Sequence, residues 1–350
     1  MNPAEDIPRS ANLTGKTVLF FGPETFNYET EIVQELGRRG AKAIYRSDKP
    51  DNSLLTKVGL RLFPKLMWRW AEKVYVDWLA KNAPVRCDLV LVIKGEGLSP
   101  RFLDHLKLKY PDAVFIYYLW DSLKNVRFAE QKFPKFDRVL SFDPEDCARI
   151  PSLTYRPLFY LEKYRNASNW ASSIHGGSCF FVGTLNGDRP AVLARLVRAL
   201  EVRKIHFDYW LFVRSQLELR MRCVVDSQLR MLAPQRLISK AMSSSEVSER
   251  FQQSTAILDI EHPQQVGLTM RTFEVLASGK KLITTNKTIL KHDFYDPTRI
   301  LVIDRHTPVV PSEFFDAQPE PLPQSFFDNN SISGWLSEIL PNSQFVKVLK

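Results

Sequence analysis

Residues 266–286 read VGLTMRTFEVLASGKKLITTN, and the order of residue types in them decides the fold. A loop holding Gly267 and Thr269 leads into a helical run whose apolar face is Phe273, Leu276 and Ala277. Gly279 stops the helix, and 282–285 reads as a buried strand. The apolar segment before the loop, 256–260, reads as another strand that delivers Asp259, Glu261 and His262. Strand, loop, helix, glycine and strand make one unit of an open parallel sheet, and such sheets bind ligands at the carboxyl ends of their strands.

The same logic recurs upstream. Residues 179–182 form an apolar strand that runs into Gly183, Thr184, Gly187 and Arg189, followed by a helix over 191–200. Gly183 lets the backbone approach a phosphate, and Arg189 can pair with one through two parallel hydrogen bonds; the alternative is a plain turn with an Asp188–Arg189 surface pair. The 267–269 amides, at the positive end of a helix, suit a diphosphate. Glu274, just inside that helix, can accept two hydrogen bonds from a ribose diol. Arg271 either faces the diphosphate or lies along the helix in a salt bridge. His262 either donates to a phosphate or sugar hydroxyl or packs against Pro263.

These segments resemble the donor-binding half of the GT-B glycosyltransferases, particularly bacterial lipopolysaccharide and capsule enzymes. The resemblance rests on Gly267, Glu274, Ala277-Ser278-Gly279 and 282–286, on FVGTLNGDR ending at Arg189, and on YLWDS at 118–122. It implies an α/β protein of two Rossmann-like domains facing a central cleft: 1–160 for the acceptor, 161–327 for a nucleotide-sugar donor, and 328–350 as a helix crossing back. The donor would be held by Gly183, Thr184, Arg189, His262, Gly267, Leu268, Thr269, Arg271 and Glu274. The sugar would pass to a saccharide or lipid-linked acceptor in surface polysaccharide synthesis. Val266 stands where retaining members carry a second glutamate, so the stereochemical outcome is left open. Two other readings share the architecture: a nucleotide-sugar 2-epimerase and a non-catalytic nucleotide-sugar-binding scaffold.

Composition bounds the rest. A chain of 350 residues with 44% apolar content is long enough for two cores. No apolar run approaches the ~18 residues of a membrane span, and the first residues lack the pattern of a secretion signal. Cys87, Cys147, Cys179 and Cys223 form no CxxC pair, which suits a reducing cytosol and argues against zinc. No DxD motif is present, so a metal-independent reaction is expected, without cofactor. The net charge of +9 draws anionic partners, and no nucleic-acid motif accompanies it.

In the first half, strands at 17–21, 88–93, 113–119 and 139–142 end in the GPETFNY loop, Lys94 and Glu96, Asp121, and Asp143 respectively. Asp121, Glu24 and Glu96 are the candidate bases for an acceptor hydroxyl, and no spacing rule chooses among them. The alternatives are a helix cap for Asp121 and a loop or helix-end charge for Glu24. Lys57, Arg61, Lys65, Arg69 and Lys73 recur every four residues within 53–82, along a helix interrupted at Pro64. With Trp70 and Trp78 on the other face, this is either an anionic-membrane surface helix or a domain helix with a solvated face. A cytoplasmic protein, peripheral at the inner face of the plasma membrane, would follow from the first. Lys280 and Lys281 are expected on the surface, 165–177 as a hinge, and 306–324, with five prolines, as an ordered or mobile linker.

Overall fold

The structure, a computed structural model, describes residues 12–165, 177–213, 216–240 and 242–340. Most of the expected hinge, 166–176, and the opening residues lie outside them.

The chain divides into two compact units, Met1–Leu158 with Asp328–Lys350, and Phe159–Phe327. The first holds β1 (Thr17–Gly22), α1 (Tyr28–Arg38), β2 (Lys42–Ser47), α2 (Leu54–Leu62), α3 (Pro64–Asn82), β3 (Leu89–Ile93), α4 (Pro100–Lys109), β4 (Val114–Leu119), β5 (Arg138–Ser141), α5 (Pro144–Arg149) and β6 (Thr154–Tyr155). The second holds β7 (Ser178–Thr184), α6 (Arg189–Val202), β8 (His206–Phe212), α7 (Gln216–Val225), β9 (Leu237–Ile238), α8 (Ser244–Gln253), β10 (Ala256–Asp259), α9 (Met270–Ala277), β11 (Lys281–Thr284), β12 (Ile300–Val302) and α10 (Glu313–Asp316). The chain closes with α11 (Gln324–Asn330) and α12 (Ile332–Ile339).

Each unit contains a six-stranded, wholly parallel sheet, ordered β2-β1-β3-β4-β5-β6 in the first and β12-β11-β10-β7-β8-β9 in the second. The apolar runs LVLVI of β3 and VFIYYL of β4 explain the first sheet: helices cover both faces, so consecutive residues are buried rather than alternating. In both sheets the strand order reverses once, between β1 and β3 and between β7 and β10. Ligands of open α/β sheets bind at that reversal.

The basic stripe is carried by two helices. Ser53 caps α2, the chain turns at Phe63, and Pro64 occupies the first turn of α3, where its missing N–H costs nothing. Trp68, Ala71, Tyr75 and Leu79 turn α3 onto the first core. After leaving the second unit the chain ends on the first: Trp335 of α12 sits edge-on to Tyr118 with ring centroids 5.0 Å apart, and Arg39 donates to the Ser337 hydroxyl at 3.1 Å.

One expectation needs correction. Lys281 is not a surface charge. It is fully buried, and its ammonium donates to the carbonyls of Thr298 at 3.0 Å, Ala317 at 2.7 Å and Phe314. Gly279 in a left-handed turn (φ 71°) starts β11 directly, which carries Lys281 inward while Lys280 is half-buried. The 306–324 stretch contains α10 and packs Val310 and Phe314 against the second core. The two-residue edge strands β6 and β9 had no apolar run to announce them. Among the described residues no helix is long and apolar enough to cross a membrane.

Candidate functional site

At the reversal point of the second sheet, the end of β10 and the start of α9 are fixed together. Thr269 caps α9, accepting the Thr272 amide, and its hydroxyl donates to Asp259 Oδ2 at 2.6 Å. The Thr272 hydroxyl donates to the same oxygen at 2.9 Å. Asn286 and Thr288 donate to the Val266 carbonyl at 3.0 and 2.9 Å, and the Gln265 amide donates to the Gly267 carbonyl at 3.1 Å. With its carbonyls engaged, the loop keeps the amides of Gly267, Leu268 and Thr269 without an acceptor among the described residues. Those amides lie at the positive end of an eight-residue helix.

Arg189 and Arg271 are anchored at the same edge. Arg189 donates through Nε to the Ile260 carbonyl at 2.8 Å and through Nη1 to the Thr184 carbonyl at 3.1 Å. Arg271 donates through Nη1 to the Val182 carbonyl at 2.8 Å. It is therefore not free, and it makes no salt bridge along its helix among the described residues. Burial lowers the Arg189 pKa, Asp259 and Glu261 oppose that, and the neighbouring charges of Arg271 and Arg305 add to it. Gly183 and Thr184 are the last residues of β7 rather than loop. A side chain at Gly183 would meet the Phe181 ring at 2.7 Å, so packing accounts for that glycine. Glu274 is buried; the burial of Tyr164 itself, and after it the Glu274 charge, raise the Tyr164 pKa. His262 accepts the Gln264 amide through Nδ1 at 3.2 Å and lies against Gly187. Leu268 is a core residue and can offer only its backbone.

Sequence reasoning missed Arg305. It pairs bidentately with Asp188 at 2.9 and 2.7 Å and donates to Glu261 Oε1 at 2.6 Å, the Glu261 carbonyl at 2.9 Å and the Thr285 hydroxyl at 2.8 Å. Asp188 therefore pairs with Arg305, not with its neighbour Arg189. Arg305 holds the Asp188 carboxyl below its ordinary range, whereas burial pushes the Glu261 carboxyl up.

In the first unit a line of alternating charge crosses the reversal point. Lys49 meets Glu96 at 2.9 Å, Glu96 meets Lys94 at 3.2 Å, and Lys94 meets Asp121 at 3.1 Å. Burial disfavours the Lys94 ammonium, but Glu96 and Asp121 outweigh it and raise its pKa. Lys94 and Gly95 both have φ of 62°, a conformation that costs a non-glycine residue on the order of 1–3 kcal/mol. Tyr117 donates to the Lys94 carbonyl at 2.7 Å, buried Lys132 to Gly95, and Trp68 to the Glu96 carbonyl at 2.9 Å, so the surroundings enforce the turn. Asp121 accepts from Asn125 at 2.8 Å and caps no helix. Asp143, expected in the same group, instead caps α5 and accepts from Ser122. Glu24 is exposed and accepts from Asn52, outside the charged line. Its loop holds Phe26 and Asn27 in left-handed conformations (φ 50° and 65°), and Tyr28 lies 6.2 Å from the Trp120 ring. Burial pushes the thiols of Cys87 and Cys147 up to about 11, so neither is an activated nucleophile. Among the described residues no three His, Cys, Asp or Glu side chains gather to hold a metal.

No protein-family model and no curated protein matches the chain. Solved structures do match. Sucrose-phosphate synthase from Thermosynechococcus elongatus is similar with TM-score 0.53 and 10% identity over 93% of this chain and 92% of that one. A glycosyltransferase from Rickettsia africae gives 0.52 and 12% over 94% and 99%. S. aureus MnaA, in a co-structure with UDP, gives 0.50 and 11% over 92% and 94%. The fold is that of the GT-B glycosyltransferases. At such identities the likeness is one of architecture, and the chemistry rests on the residues above.

Proposed function

We propose that the chain is a glycosyltransferase that takes a sugar from a nucleotide-sugar donor and passes it to a saccharide or lipid-linked acceptor in surface polysaccharide synthesis. The observation that carries this reading is the edge at β7 and β10. Three amides without acceptors among the described residues, at a helix N-terminus, stand with two guanidiniums that are each pinned to a carbonyl at or near a strand end by part of their donor set. A leaving diphosphate needs preorganised positive partners of this kind, each contributing roughly 2.7–4 kcal/mol in the transition state. Amides and arginines would supply the stabilisation, so transfer proceeds without a divalent metal. Gly183, Thr184, Gly267, Leu268 and Thr269 take part through backbone, Arg189, Arg271 and His262 through side chains, and Glu274 binds the ribose. Asp121 is the acceptor base, oriented by Lys94 and Asn125; Glu24, on the strained loop beside Trp120, faces the acceptor.

The lipid-linked branch of the acceptor class is favoured by α2 and α3. Leu55, Phe63, Leu66 and Trp70 are 84, 65, 68 and 41% exposed beside Lys57, Arg61, Lys65, Arg69 and Lys73. Apolar rings and cations on one hairpin fit the anionic inner leaflet of a plasma membrane. Each cation near such a surface is worth about 1 kcal/mol. Reversing Lys57, Arg61, Lys65 and Arg69 to Glu therefore lowers sedimentation with vesicles containing phosphatidylglycerol by more than tenfold; equal sedimentation of the two proteins removes the membrane from the reading.

The donor is tested by thermal melting with UDP, GDP, CDP and dTDP. UDP, the ligand of one structural neighbour, is the first to try. One of the four should raise the melting temperature with increasing concentration, and EDTA should leave the shift unchanged. If none does, the donor assignment is wrong.

A further inference from the structure

Arg305 has spent its whole donor set. A guanidinium carries five N–H groups. Here one goes to Asp188 Oδ2, one to Asp188 Oδ1, one to Glu261 Oε1, one to the Glu261 carbonyl and one to the Thr285 hydroxyl. None remains for a ligand. Its charge, moreover, is matched by the Asp188 and Glu261 carboxylates. In this respect it differs from Arg189 and Arg271 on the same edge, whose hydrogen bonds to protein occupy part of the fork.

The groups that Arg305 joins sit at the ends of three neighbouring strands. Asp188 follows β7 and immediately precedes Arg189; Glu261 follows β10 and precedes His262; Thr285 follows β11 and precedes Asn286, which anchors the Val266 carbonyl. Asp188 occupies the N-cap position of α6, yet its carboxylate makes no capping hydrogen bond and is given wholly to Arg305. Thr285 closes the ring by donating to Glu261 Oε2. From the other side, Arg195 of α6 donates to the Arg305 carbonyl at 3.0 Å, so the helix and the loop hold each other twice.

We propose that Arg305 is a positioning residue for the diphosphate end of the donor: it sets the register between the β7 loop, which aims Arg189, and the β10–β11 loops, which aim the amides of residues 267–269. It acts through these groups without touching the ligand. The inference rests on the donor reading above and deepens it, because it makes diphosphate recognition, and not base recognition, the property that depends on Arg305.

The experiment is calorimetric titration of the native chain, Arg305→Lys and Asp188→Asn with the best of the four nucleoside diphosphates and with the corresponding nucleoside, alongside thermal melting. Lysine keeps the charge but has no fork to bridge Asp188 and Glu261. Expected are Kd values for the diphosphate weakened at least tenfold in both variants and for the nucleoside changed less than twofold, with far-UV spectra unchanged. The double variant should lose little more than either single one, since both break the same clasp. A folded Arg305→Lys protein with native diphosphate affinity overturns the inference while leaving the donor site intact, and so does a loss shared equally by diphosphate and nucleoside. If Arg305→Lys does not fold, Asp188→Asn decides by the same two criteria. A native chain that binds none of the four diphosphates overturns the donor reading and this inference together.

Discussion

The two sheets reach their reversal points with the same geometry and opposite electrical habits. In the first unit the charges satisfy one another: Lys49, Glu96, Lys94 and Asp121 form a line in which every contact is between opposite signs. In the second, Arg305 is likewise matched by Asp188 and Glu261, but Arg189 and Arg271 are held by carbonyls, which keep the guanidiniums in place without cancelling their charge, and the adjacent amides have no acceptor among the described residues. A self-neutralised edge has little pull on an anion but offers donors and acceptors to a hydroxyl. An edge that retains positive charge and N–H groups draws phosphate. The pairing pattern, more than the number of charged residues, separates an acceptor-like edge from a donor-like one.

The sharpest way to break this contrast is Asp121→Asn. With the acceptor base removed, kcat for transfer should fall by ~10²–10⁴, while the Kd for nucleoside diphosphate stays within twofold. A change in diphosphate affinity would mean that the two edges do not divide the labour. The reciprocal change, Arg271→Ala, should weaken diphosphate binding by roughly ten- to a hundredfold, the loss of one charged hydrogen bond, read by titration. Unaltered affinity would assign Arg271 to holding β7 alone.

A smaller effect distinguishes the interiors behind the edges. Burial brings the Lys132 pKa down to about 8 from its ordinary 10.5, against the pull of Asp48 and Glu96. Between those values the unfolded chain holds the extra proton, so the penalty of burying Lys132 shrinks as pH rises. In urea titrations the stability of the native chain relative to Lys132→Met should therefore improve by about 1.5 kcal/mol from pH 8 to pH 9.5. A pH-independent difference would mean that Lys132 is charged throughout.

Much of this was readable before the structure. The runs VLFF, LVLVI, FIYYL and AILD can only be interior strands, and their spacing by helices makes the sheets parallel. The β10–α9–β11 unit was legible because its turn residues are local: a loop, a capping threonine and Gly279. What escaped depended on partners far along the chain. Arg305 meets Asp188 from 117 residues away, and nothing local marks it as different from other arginines. Lys281 looked like the second half of a surface dipeptide, because its three carbonyl acceptors come from 298–317 and appear only once that segment folds over it. Asp143 does stand at the end of β5, but a carboxylate there before Pro-Glu-Asp is equally a cap, and the α5 amides claimed it.

The return of α12 to the first unit bears on the order in which the molecule can be made. Tyr118 and Arg39 belong to the part synthesised first, but Trp335 and Ser337, which cover them, leave the ribosome only after all of the second unit. The second unit is continuous in the chain and can close as soon as it has emerged, whereas the first must wait with an apolar face open. Removing α12 would leave that face bare for good, turning a transient stage of synthesis into a permanently sticky protein.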